Sequence, residues 1–388
     1  MLARARGVGL AEVLRRHGPA YLQTHPLSGT KAKAWRAILA CRTAALGGQL
    51  ETCTSCGTIR HVYHSCRNRH CPLCQTRAKE SWLARRRAEL LPVPYFHLVF
   101  TVPHDLNALT GSCPRLIYET LFAAVSATLS EFAANARWLG GVAAFSLVLH
   151  TWKQDLGRHV HIHALMAGGA LSPTRDWIRA KRGFLFPVKA LSKVFRGKFV
   201  AALKLARHCK LPGLAEEAWH ELLARLHAHD WVVYAKQPLG GPEQVLEYLG
   251  RYTHRVAISN ERIVGMDEDS VSLRIRDSAH GNGRRTLRLP AHSFIDRFLL
   301  HVLPTGFKRI RHYGLLGPAG KALKLAQARA ALSVSPPDPV VVESVAAFMC
   351  RIHRHAWARC GHCGQGCFVP TAPIAVSKGH LLQPRGPP

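Results

Sequence analysis

Acidic residues are what this sequence lacks most. Across 388 residues, 23 Asp and Glu stand against 53 Lys and Arg, giving a formal net charge of +30. The excess is spread along the chain rather than gathered in one tail. A field of that sign and size disfavours cationic partners and favours a polyanion, of which nucleic acid is the commonest. Long apolar runs are missing too, and no stretch reads as the ~20 residues a membrane helix needs. The opening, MLARARGVGL, has arginines but no apolar core behind them, so it does not read as a secretory signal. No internal repeat is present, which argues against a solenoid or propeller. The chain therefore reads as cytoplasmic, beside the nucleoid of a prokaryote, with no membrane partner. In that compartment its 12 cysteines are reduced, and clustered ones point to metal rather than to disulfides.

What is present is an ordinary hydrophobic fraction, 47%, in a chain long enough for two or three domains. Residues 1 to about 50 read as helical. A cysteine-rich block follows, then the basic amphipathic stretch TRAKESWLARRRAELL, which Pro92 and Pro94 close. YFHLVFTV, GVAAFSLVLHTW, RHVHIHALMAGG and WVVYAK are β-branched or aromatic and read as strands. The middle two are joined by KQDLGR, short enough for an antiparallel hairpin. Helical patterns fill LIYETLFAAVSATLSEFAANA, 116–136, and much of 172–230, and VSLRIRD and RTLRLP are further short strands. SVSPPDPVVV reads as a linker and the last dozen residues as a tail. The class is α+β, a central antiparallel sheet with helices packed on it and a small N-terminal zinc-binding module. The divisions fall at 1–92, 93–317 and 318–388.

The block from Cys53 to Cys74 contains two Cys-x-x-Cys pairs separated by fourteen residues. Each pair makes a tight turn that aims two sulfurs at one point. Together, Cys53, Cys56, Cys71 and Cys74 can form a closed tetrahedral site for a structural Zn²⁺, into which Cys66, His61, His64 or His70 could swap. Arg67, Arg69, Arg85 and Arg86 surround that block and are candidates for gripping DNA. Cys360, Cys363 and Cys367 form a second cluster, a candidate second zinc site whose fourth ligand could be Cys350, His353, His355 or His362.

In RHVHIHALM, three histidines alternate with Val160 and Ile162, so His159, His161 and His163 share one strand face. Same-face neighbours lie ~6.6 Å apart along a strand. Two of them can therefore converge on one divalent ion while the third orients them. The third ligand is expected from the adjoining strand: Gln154, seven residues before His161, with His150 as the alternative. No carboxylate stands beside these histidines to bridge metals, which argues against a small-substrate metallohydrolase. Some 85 residues later, EYLGRYTHR places Tyr248 and Tyr252 four apart, on one helix face. Gly250 between them weakens a helix and signals close approach of another element. A phenol is a nucleophile once its proton is lost, and a divalent ion polarises a phosphodiester. Together these parts make a DNA-nicking machine.

His161-Ile162-His163 resembles the histidine–hydrophobic–histidine signature of the HUH endonucleases, and Tyr248 and Tyr252 resemble the tyrosine pair of their two-tyrosine branch. SCRNRHCPLCQ, VFTVPHDLN, LHTWKQDL, FRGKF, YLGRYTHRVAISN and GFKRIRHYG resemble blocks of the rolling-circle insertion-sequence transposases, which carry an N-terminal zinc-binding domain. The resemblance covers about residues 30–317. It implies an HUH-type sheet with the histidine strand central and the tyrosines on an adjacent helix. It implies His161 and His163 as ligands of a catalytic Mg²⁺ or Mn²⁺, and Tyr248 and Tyr252 as nucleophiles. The activity it implies is nicking and rejoining of single-stranded element ends and target through a 5′-phosphotyrosine. An HUH relaxase or plasmid replication initiator, and a non-catalytic zinc DNA-binding protein, are the competing readings.

Overall fold

The computed structural model describes residues 8–181, 183, 185–210, 214–239, 244, 245, 250, 257–277, 283–339, 343, 347 and 358–377. Two helices open the chain, α1 (Leu10–Thr24) and α2 (Gly29–Ala40). The hairpin β1 (Gly48–Cys53) and β2 (Ile59–Tyr63) and the helix α3 (Gln75–Arg87) follow. Next come β3 (Tyr95–Thr101), the short α4 (Asn107–Ser112) and α5 (Pro114–Ala134). The hairpin β4 (Val142–Trp152) and β5 (Arg158–Leu171) leads to the three-residue β6 (Trp177–Arg179). Then come α6 (Val188–Lys210), α7 (Glu216–Ala228) and β7 (Val233–Leu239). Three strands, β8 (Ile263–Met266), β9 (Ser270–Asp277) and β10 (Gly283–Pro290), precede α8 (Ala291–Leu299). The last elements are β11 (Ile310–Gly314), α9 (Lys321–Ala331) and β12 (Phe368–Ile374).

The largest sheet runs β11-β4-β5-β3-β7, with β6 paired to β5, and every pairing in it is antiparallel. The histidine strand β5 is its central member. Strand periodicity sorts the side chains. Val160, Ile162, Ala164 and Met166 of β5, with Leu98 and Phe100 of β3 and Leu147 and Leu149 of β4, enter the main core. There they meet Ile117, Leu121 and Val125 of α5 and Leu191, Phe195 and Phe199 of α6. Pro114 sits in the first turn of α5, where a missing N–H leaves no helix bond unmade. Among the described helices, α5 is long and apolar enough to cross a membrane, whereas no apolar run of that length is expected from the sequence. Its apolar residues are buried in this core.

The opposite face of the sheet is divided. At one end, Tyr95, Ala144, Leu165 and Ala167 are covered by Leu91, Leu315, Leu325 and Ala328, with Trp82 and Leu83 of α3 packed against them. The other end carries histidines. Helix α3 is fixed over this face by a polar chain. Ser146 is 2.7 Å from His312 Nδ1, His312 Nε2 is 3.2 Å from Arg86, and Arg86 pairs with Glu89 at 2.5 Å.

Two smaller sheets complete the fold, β12-β1-β2 and β10-β9-β8, again all antiparallel. They redraw the boundaries expected from the sequence. Leu10, Val13, Leu14 and Trp35 of the first two helices share one core with Ile258, Val271, Leu273, Phe294 and Phe298. The N-terminal helices are thus half of a unit whose other half lies some 250 residues later. The division expected at 318–388 contains α9, packed on the main sheet, before the stretch read as linker, and β12, paired with β1, after the second cysteine cluster.

Candidate metal centre and nucleic-acid interface

The register of the main sheet builds the histidine cluster. His150 on β4 stands directly opposite His161 on β5, and Val99 of β3 stands opposite His163. His97, two residues before Val99, therefore shares the face of His163. His161 Nε2 lies 3.1 Å from His163 Nε2. The His150 ring is centred 4.5 Å from that of His163 and 5.5 Å from that of His161. One nitrogen from each of His150, His161 and His163 lies within 4.8 Å of the other two. Two nitrogens at ~2.1 Å from one ion and at right angles would be ~3.0 Å apart, so this set fits a single divalent cation.

The remaining nitrogens are held. His161 Nδ1 donates to the carbonyl of His159 at 3.0 Å, which leaves Nε2 with its lone pair facing the cluster. His163 Nδ1 is 2.9 Å from His97 Nε2, the outer contact that orients a metal-binding imidazole. Burial, with His159 nearby, pushes the His161 imidazole down to about 4, and burial with Lys236 nearby does the same to His97. At neutral pH both are uncharged, the form that ligates.

Gln154, expected as the third ligand, stands apart from the paired stretch that aligns these three histidines. It lies in the turn beyond the paired ends of β4 and β5, where its backbone carbonyl accepts from Arg262. Direct cross-strand pairing makes His150 the third member instead. His159 faces His104 at 3.4 Å. Tyr248 and Tyr252 lie outside the described residues. Gly250 between them is helical, and a Cβ on it would sit 2.8 Å from Lys79 and 3.1 Å from Leu83 of α3. The close approach that this glycine signals is therefore to α3.

The cysteines assemble differently from the expected set. Cys71 and Cys74 join Cys41 and Cys66, while Cys53 and Cys56 join Cys360 and Cys363. The single site of Cys53, Cys56, Cys71 and Cys74 is thus replaced by two. The β1–β2 hairpin carries the first pair to one end of a small sheet, whereas the second pair opens α3 and packs against the N-terminal core. In the first tetrad, Cys74 Sγ is 3.5 Å from Cys41 Sγ and 3.6 Å from Cys66 Sγ. Four sulfurs at ~2.3 Å from one zinc lie ~3.8 Å apart, so the tetrad is close to a filled site. The thiols of Cys41, Cys66 and Cys71 hold Cys74 well below the usual thiol range. Cys367 is exposed and belongs to neither group. Cys41 carried no signal in the sequence because it ends a helix with no second cysteine near it.

The four arginines also divide. Arg67 and Arg85 are exposed. Arg69 donates to the carbonyl of Phe307, and Arg86 is held by Glu89 and His312. These two lock the cysteine block to the main sheet rather than facing a ligand. A stronger basic surface was visible only as alternation in SLRIRD and GRRTLR. Arg276 stands directly opposite Arg284 on the β9–β10 ribbon, and Arg274 opposite Thr286. The other face of this ribbon is buried through Leu273, Ile275 and Leu289. Arg274, Arg276 and Arg284 are exposed together on the outer face.

Comparison with known proteins now bears on these sites. A family described as "Transposase zinc-binding domain" matches residues 13–102, and one described as "Putative transposase" matches residues 144–322. A protein described as "Putative transposase y4qJ", from Sinorhizobium fredii, is 44% identical over 376 residues, 94% of each chain. The chain belongs to the IS91-type transposases. This transposase is also 26% identical over 312 residues to the "Transposase for insertion sequence element IS801" of Pseudomonas savastanoi pv. phaseolicola. That match covers 78% of the transposase and 74% of its relative. No solved structure matches it. The zinc-binding match contains the whole Cys41–Cys74 tetrad but only half of the other. The second match contains the three clustered histidines and both tyrosines. DNA is accordingly its partner, and structural zinc belongs to it.

Proposed function

We propose that this transposase nicks and rejoins single DNA strands by an HUH-type mechanism, in rolling-circle transposition within the cytoplasm. The observation that carries the reading is the convergence of His150, His161 and His163 on the central strand face. A divalent cation bound there would polarise the scissile phosphate and stabilise the charge that develops on its oxygens. Tyr248 or Tyr252 supplies the nucleophile. Its phenol gives up a proton to solvent, its oxygen bonds to phosphorus, and the bond from phosphorus to the 3′ oxygen breaks. That 3′ oxygen leaves and takes up a proton. The 5′-phosphotyrosine is resolved when a 3′-hydroxyl of another strand attacks, which returns the phenol. Two tyrosines permit two strands to be carried in succession.

With His150 in place of Gln154, the ligands are three imidazoles. Nitrogen donors suit Mn²⁺ better than Mg²⁺, which prefers oxygen and keeps its water. Cys41, Cys66, Cys71 and Cys74 hold the zinc of the zinc-binding domain and, with it, the start of α3. Arg67 and Arg85, with the arginine face of the β9–β10 ribbon, bind the DNA backbone.

Incubation with single-stranded oligonucleotides covering the element ends, with Mn²⁺ or Mg²⁺, should give a covalent protein–DNA adduct on a denaturing gel. Adduct should appear at lower Mn²⁺ than Mg²⁺. His161→Ala should abolish it, and so should the Tyr248→Phe/Tyr252→Phe pair, which keeps both rings. Undiminished adduct in either variant would overturn the reading.

A further inference from the structure

We propose that this chain holds a second structural zinc ion at Cys53, Cys56, Cys360 and Cys363, which clasps the C-terminal strand onto the N-terminal hairpin. The four sulfurs come from two knuckles of the same build. In one, Gly57 N–H donates to the Cys53 carbonyl at 3.1 Å; in the other, Gly364 N–H donates to the Cys360 carbonyl at 2.9 Å. Both glycines have positive φ, 71° and 68°. A backbone amide also approaches one sulfur of each knuckle at 3.4 Å, Ser55 to Cys53 and Gly366 to Cys363. Across the gap, Cys53 Sγ is 3.7 Å from Cys363 Sγ, and Cys56 Sγ is 3.7 Å from Cys360 Sγ. That is the ~3.8 Å edge of a tetrahedron of zinc-bound sulfurs and far outside the ~2.05 Å of a disulfide.

The surroundings show why a metal is needed. Among the described residues, none from β1, β2 or β12 belongs to any of the three hydrophobic cores. Ile59 and Val369 of this sheet are exposed. Its strands are held by the β1–β2 ladder, the β1–β12 ladder from Gly48↔Ile374 to Cys53↔Phe368, the Thr52–Thr371 hydrogen bond, the Arg60–Glu51 ion pair and Arg60 over the Phe368 ring. A three-stranded sheet with no apolar core is marginal, and small modules of this kind are stabilised by metal. Packing is tight at the cluster itself: a Cβ on Gly366 would lie 2.4 Å from Cys53 Sγ. The family's zinc-binding match ends at residue 102, so half of this ligand set lies far outside it.

Elemental analysis of the purified full-length protein should find two zinc ions per chain. The Cys360→Ser/Cys363→Ser variant should retain one. Its β12 amides should exchange hydrogen at rates of unprotected backbone, while those of β5 stay protected. Cys367→Ser should retain two. If the double variant does not fold, Co²⁺ substitution of the unaltered protein decides the matter, by two equivalents of tetrathiolate charge-transfer absorption. One zinc per chain in the unaltered protein, or two in the double variant, overturns the proposal. Both readouts are metal content and exchange, so they stand or fall independently of DNA nicking.

Discussion

An imidazole has two nitrogens, and whatever engages one decides what the other can do. At His161 the backbone carbonyl of His159 takes Nδ1; at His163 the neighbour is His97, 2.9 Å away. His97 is thus a positioning residue for His163. Its replacement by Ala should weaken divalent-metal binding by about 10–100-fold, the usual effect of removing such an outer partner. His97→Gln, which restores a polar partner, should recover part of that affinity. Calorimetric titration with Mn²⁺ measures both. In the same titration His150→Ala should be severe and Gln154→Ala close to silent; the reverse order would return Gln154 to the site. The alternation in HVHIH was legible because a strand's period is two and Val160 and Ile162 are apolar. The choice between His150 and Gln154 was not, because it depends on how many residues of the hairpin pair before the turn begins. His97 had left a trace, a lone histidine in the otherwise apolar YFHLVFT.

At the scale of elements, β3, β4, β5 and β7 of the main sheet were readable from β-branched and aromatic runs, as was the basic stretch before Pro92, whereas β6 and the edge strand β11 were not. The cysteine partnerships were not. Pairing Cys53 with Cys363 joins residues 310 apart in sequence, and local spacing carries no record of that. The β9–β10 ribbon makes a further prediction. Like charges directly opposite one another on a sheet repel, so Arg276 facing Arg284 is a cost that a polyanion would relieve. Replacing Arg274, Arg276 and Arg284 together with Ala should flatten the dependence of log affinity on log salt. The change should be about 2 to 3 in slope, since each phosphate left without its cation removes roughly 0.7 to 0.9. Binding across a salt series tests it, and an unchanged slope would remove the ribbon from the interface. Because these side chains point away from the core, thermal stability should hardly move.

At the scale of the whole molecule, the chain is stitched across its length. Buried Leu10, Val13 and Leu14 of α1 find their partners among Ile258, Leu273 and Phe294. A fragment of residues 1–92 would expose those side chains, and buried leucines of this kind contribute roughly 1.5–3 kcal/mol each. Such a fragment, even with zinc, should give a poorly dispersed amide NMR spectrum. A well-dispersed spectrum would mean that the module is self-sufficient. Composition could announce the polyanion partner, since net charge sums over all residues, but it could not show which distant segments share a core.

The second cysteine tetrad also sets a timetable. Cys53 and Cys56 leave the ribosome 304 residues before Cys360. At about 5–20 residues per second, that is a wait of roughly 15–60 s with half a coordination sphere in hand. Cys41, Cys66, Cys71 and Cys74 are all made within 34 residues of one another, so their tetrad is complete early in the same interval. A polypeptide abandoned by the ribosome before residue 363 would carry the early tetrad but never the late one.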